Sequence, residues 1–119
     1  MAKTAYTANQ APIRTPRGTE YEAFARITHR LKTASADTAP FPEFAAALHS
    51  NRQLWTLLAA DVAERDNALP AELRARIFYL AEFTAQHTSK VLRGTDTADV
   101  LVDVNTAVMR GLRQATEAT

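Results

Sequence analysis

The chain contains no cysteine, which removes disulfide cross-links, thiol nucleophiles and cysteine-ligated metal from consideration. That absence fits a reducing compartment. Glycine is almost as scarce: Gly18, Gly94 and Gly111 are the three present, too far apart to build a phosphate-cradling loop. There is no Gly-x-Ser-x-Gly elbow and no His-Glu-x-x-His pair. No apolar run approaches the length of a membrane span, and the opening Met-Ala-Lys-Thr-Ala-Tyr-Thr lacks the apolar stretch of a secretory signal. These features lead us to expect a cytoplasmic protein without membrane contact. Charge of one sign is lacking too, with 14 Lys+Arg against 13 Asp+Glu. A nucleic-acid-binding domain usually carries a clear basic excess on one face, so the balance argues against a nucleic-acid partner. Lys3, Arg14 and Arg17, which precede any acid, are the one local exception.

No catalytic, cofactor-binding or metal-binding set emerges from the residues that are there. His29, His49 and His87 fall on different predicted helices, and none has a histidine or carboxylate four positions away, the spacing a helical metal site needs. Asp99 and Asp103 sit near a predicted helix start, where negative charge is favourable without any catalytic role. Asp61 and Glu64 read as surface acids. We therefore expect a protein that is not an enzyme and carries no cofactor.

With 119 residues, 46% of them hydrophobic and 23% charged, the chain fits one globular domain. Apolar residues recur at helical spacing in four stretches. The first helix is expected from about 16 to 36, with Thr15-Pro16 as cap and first turn; its stripe is Tyr21, Phe24, Ile27, Thr28 and Leu31. The second, about 42–65, carries Phe44, Leu48, Asn51, Trp55, Leu58 and Val62. The third, about 70–93, carries Leu73, Ile77, Leu80, Thr84, His87 and Val91, with Gly94 as terminator. The fourth, about 98–114, carries Leu101, Val104, Asn105, Val108 and Leu112. No stretch alternates with period two. The expected fold is all-α, a four-helix bundle-like domain over 16–115, with residues 1–15 as a flexible N-terminal arm anchored at most by Tyr6.

Two features do not fit a simple bundle. Asn51 and Asn105 interrupt apolar stripes at mid-helix, and a buried amide without partners costs about 1–3 kcal/mol. Each is expected either to tie helices together or to bond a partner's backbone. His87, also on a stripe, reads as a hydrogen-bonded structural residue. Beyond their stripes, the second helix carries Leu54 and Leu57, and the third Phe78, Tyr79 and Phe83. Either these two helices are buried on two sides or the surplus meets a partner, in the mode of a helix laid into a groove.

Several short motifs resemble the FlaF family of flagellar biosynthesis regulators. They are Pro16-Arg17 with Glu20-Tyr21, Asn51-Arg52-Gln53-Leu54-Trp55, Asn67-Ala68-Leu69-Pro70, Leu73-Arg74-Ala75, His87, Val104-Asn105, and Met109-Arg110-Gly111-Leu112. They run in the family's order from about Tyr6 to Leu112. Phe83 stands where many members would carry tryptophan. The resemblance implies a role in making the flagellar filament: promoting synthesis or secretion of flagellin, as a secretion chaperone, together with or against a second regulator, FlbT. On that reading Trp55, Phe78, Tyr79 and Phe83 would anchor a flagellin segment, beside Leu54 and Leu57, with Asn51 and Arg52 supplying polar specificity. Two other readings stay open: post-transcriptional control through flagellin mRNA, and an adaptor that binds FlbT rather than flagellin. A homodimer is also compatible with the surplus apolar surface.

Overall fold

The computed structural model describes residues 16–36 and 39–117. The expected arm over 1–15, with Tyr6, Lys3, Arg14 and the Thr15 cap, lies outside the described residues. Four helices and no strand are present among those described: α1 Pro16–Ala34, α2 Phe41–Val62, α3 Ala71–Leu92 and α4 Asp99–Glu117.

Local chemistry sets their ends. Pro40 and Pro70 both stand in extended backbone just before a helix, at φ −63, ψ 143 and φ −56, ψ 146. Pro70 is therefore the residue before α3 and not its first turn, one position later than the sequence suggested. α2 stops at Val62, three residues short of the expected 65. The reason is Asn67, whose Nδ2 donates to the backbone oxygen and to Oδ2 of Asp61, both at 3.2 Å. It thereby satisfies a carbonyl the helix end leaves orphaned. The Asn67 Oδ1 accepts the Leu69 N–H at 3.0 Å, closing an Asx turn. α3 ends in a Schellman motif: Gly94 N–H donates to Val91 O and Thr95 N–H to Lys90 O, each at 3.0 Å. Gly94 takes φ +79, a conformation glycine adopts without steric penalty.

Cross-helix contacts fix the topology. Phe24 of α1 meets Trp55 of α2 edge to face, with ring centroids 5.3 Å apart, and Arg30 donates to Ser50 Oγ. Arg52 of α2 reaches Ser89 of α3. His87 of α3 bonds the Thr97 carbonyl just before α4, and the Arg113 guanidinium of α4 lies over the Tyr21 ring of α1. Between α1 and α2 the earlier Phe24 pairs with the later Trp55 and the later Arg30 with the earlier Ser50, while the end of α3 meets the start of α4 and the end of α4 meets the start of α1. The helices therefore run up-down-up-down, with α2 and α4 each packed against α1 and α3.

The core is in two parts. One apolar cluster holds Phe24, Trp55, Leu58, Val62, Leu69, Ile77, Val108 and Leu112. The other holds Leu31, Ala34, Ala47, Leu48, Val91, Ala98 and Leu101. Burying an aliphatic or phenyl side chain of this size contributes about 1.5–3 kcal/mol. Between the two clusters every helix turns a polar residue inward: Thr28 from α1, Asn51 from α2, Thr84 and Thr88 from α3, Asn105 from α4, all buried.

Candidate functional site

The polar layer centres on Asn105. Its Nδ2 donates to Thr28 Oγ1 at 3.0 Å and to Asn51 Oδ1 at 2.7 Å, while its Oδ1 accepts the Trp55 indole N–H at 2.8 Å. One α4 amide thus binds α1 once and α2 twice. On the α3 side, Thr88 Oγ1 donates to Thr84 O at 2.7 Å, and the Thr84 hydroxyl and Asn51 Nδ2 have no protein partner. His87 is also buried. Its ring stacks on Phe83 at 5.5 Å, and Nε2 lies 2.9 Å from Thr97 O and 3.7 Å from Asp96 Oδ1.

The structure separates the contact set drawn from sequence by exposure. Asn51 is fully buried, its Oδ1 accepting from Asn105, so it offers no atom to a surface ligand. Trp55 is 1% exposed, and its indole N–H is engaged inside. Leu54 packs on the first apolar cluster. Phe83 is half-buried on His87. Leu57 is 70% exposed, but two positions past Trp55 it stands on the far side of α2 from the core.

The remaining members do gather. A groove of about 230 Å³ runs between α2 and α3, lined by Arg52, Trp55, Thr56, Ala59, Phe78, Ala81, Glu82, Thr84 and Ala85. Its walls are low because alanines at 59, 81 and 85 face one another across the helix pair. Phe78, 50% exposed, stands at one end. A shallower hollow of about 300 Å³ continues over the outer face of α3, along Ala75, Phe78, Tyr79 and Glu82. Tyr79 is 69% exposed there. Sequence reasoning found Phe78, Tyr79 and Arg52 but missed the small residues that open the groove. The signal was present: Ala81 and Ala85, one turn apart, follow Phe78 on the same face.

Among the described residues, no three His, Asp or Glu side chains gather as metal ligands would, and no helix is long and apolar enough to cross a membrane. A family model for the flagellar protein FlaF matches residues 2–112.

The chain belongs to the FlaF family.

No curated protein and no solved structure matches it. Membership implies a flagellar role and locates the family-like motifs in space. Asn51, Trp55 and Asn105 form the polar layer. Asn67 to Pro70 makes the turn into α3, whose Arg74 Nη1 donates back to Asn67 O at 3.3 Å. Gly111 lets the Leu73 Cδ1 come within 3.3 Å of where a side chain would begin. Most of what resembles FlaF thus holds the bundle together, whereas Arg52 alone of the Asn-Arg-x-x-Trp run lines the groove without being sealed in the core.

Proposed function

We propose that this FlaF-family protein binds flagellin in the groove between α2 and α3 and thereby promotes its synthesis or secretion, acting by association and not by catalysis, in the cytoplasm. The observation that carries this reading is the pairing of an alanine-floored groove with half-exposed Phe78 and exposed Tyr79 at its edge. A soluble domain rarely leaves contiguous large apolar groups in water without a partner, and a channel between two helices suits the apolar face of a third. Aromatic residues beside such a channel supply much of the interface energy in many complexes. Cargo destined for export has to be released, so binding of moderate strength is expected.

The test is co-expression with flagellin followed by co-purification, with FlbT present and absent. Flagellin should be retained by the native chain and lost by the Phe78→Ala, Tyr79→Ala double variant, whose far-ultraviolet circular dichroism stays unchanged. Retention of FlbT without flagellin would replace this reading with the adaptor one.

A further inference from the structure

We propose that the groove selects its helix by charge as well as by shape, taking one that brings a carboxylate to Arg52 about two turns away from the apolar side chains it seats beside Phe78. This rests on the groove being the docking site and adds the chemistry of what docks there. Arg52 is half-buried at one end of the groove. Its Nη2 lies 3.3 Å from Ser89 Oγ and 3.5 Å from Ala85 O, two long contacts to neutral oxygens. Among the described residues no carboxylate lies within ion-pair distance of it. A guanidinium carries five donors in a planar fork, and a carboxylate is the group that satisfies two of them at once and with charge. The site is thus half of an ion pair, held in place by α3 and open towards the groove.

The second half of the selection comes from Glu82, which lines the same groove one turn nearer Phe78 than Ala85. A carboxylate placed mid-groove would meet it and be repelled, so the acid is admitted only at the Arg52 end. Along α2, Arg52 and Ala59 are seven residues apart, about 10 Å at 1.5 Å per residue. A partner helix lying along the groove therefore carries its acid about seven residues from the apolar residue that packs at Ala59 and Phe78.

The test uses the full chain and three stapled 20-residue helical peptides without tryptophan. They share one leucine stripe and differ at a single position, seven residues from the terminal leucine: Glu, Gln or Lys. Trp55, the one tryptophan in the chain, lines the groove and reports occupancy by its emission, and fluorescence anisotropy gives the affinities. The Glu peptide should bind at least tenfold tighter than the Lys peptide at low salt, with the gap narrowing as salt rises. Arg52→Gln should erase the gap, Arg52→Glu should reverse it, and Phe78→Ala should weaken all three peptides alike. Equal affinity for Glu and Lys peptides, a gap that survives Arg52→Gln, or no binding of any peptide overturns the proposal. Flagellin binding is scored separately. If flagellin co-purifies while the peptides are not discriminated, the cargo reading stands and this one falls. If the peptides follow the predicted order while flagellin does not bind, the charge selection stands and the cargo is another acidic amphipathic helix.

Discussion

At the level of Asn105 all four helices turn hydroxyls or amides inward, while about one and a half turns before Thr84 on the outside of α3 Phe78 and Tyr79 turn outward. The two regions invert the usual partition of polar and apolar side chains, and they do so for different ends. The inner inversion is closed: Asn105 meets α1 and α2 through three hydrogen bonds, and sliding α4 by one turn would set that amide against leucine and isoleucine instead. A buried polar contact of this kind fixes register at some cost in stability. The outer inversion is open: among the described residues Phe78 and Tyr79 stand 50% and 69% exposed. A polar group inside can be satisfied by its own chain, but an exposed aromatic gains only from something that arrives.

The sharpest way to break that contrast is to remove the hub. Asn105→Ala strands the Trp55 N–H, the Asn51 amide and the Thr28 hydroxyl in the core, each a loss of about 1–3 kcal/mol when left unpaired. A fall of about 3 kcal/mol or more in unfolding free energy is expected from urea denaturation. A loss below about 1 kcal/mol would mean the layer is wet and not sealed. The mirror experiment is on the outer face. Phe78→Ala with Tyr79→Ala should change stability by less than about 1 kcal/mol, since both are half or more in water already. Flagellin affinity should drop more than tenfold, about 1.4 kcal/mol. Unfolding of the double variant would show those rings to be core and dissolve the comparison.

Gly94 supplies a calibration of smaller size, away from both regions. At φ +79 with nothing within 4 Å of a would-be Cβ, Gly94→Ala carries only the backbone penalty of the left-handed conformation, about 1 kcal/mol. The loss should appear in thermal unfolding with no change in flagellin binding.

How much of this was written in the sequence differs between the two regions. Helix number and order, the up-down arrangement and the core stripes were legible, because periodicity of 3.6 and proline or glycine punctuation are local. The helix boundary at Val62 was not. It depends on Asn67 folding back onto Asp61, a contact between a loop and a helix end that periodicity does not report. The polar layer was half legible. Asn51 and Asn105 stood out in their stripes, but that they bond each other across 54 positions of sequence is a fact of packing. Thr28 and Thr84 passed as tolerable stripe members. The groove was legible in its large residues and illegible in its small ones, since a channel is made by what alanine fails to fill. Asn51, weighed as a helix tie or a partner contact, and Trp55, offered as a partner anchor, both lie buried.

The finest distinction lies within the polar layer itself, between its satisfied hydroxyl and its unsatisfied one. Thr28 Oγ1 accepts from Asn105, whereas Thr84 Oγ1, 1% exposed as a residue, has no protein partner. Valine replaces threonine at nearly equal volume, so each substitution tests the hydroxyl almost alone. Thr28→Val should cost about 1 kcal/mol, because Asn105 loses an acceptor it cannot replace. Thr84→Val should move the urea midpoint the other way by a similar amount, because an unpaired polar group is exchanged for a methyl that packs. Opposite signs would show that the hydrogen-bond network around Asn105 ends before α3. Two losses of the same size would show that Thr84 finds a partner in solution, the Asn51 Nδ2 being the other unpaired group in the layer. α3 would then be tied into the hub as firmly as α1 and α2, leaving the groove beside it a rigid feature and not a seam that opens.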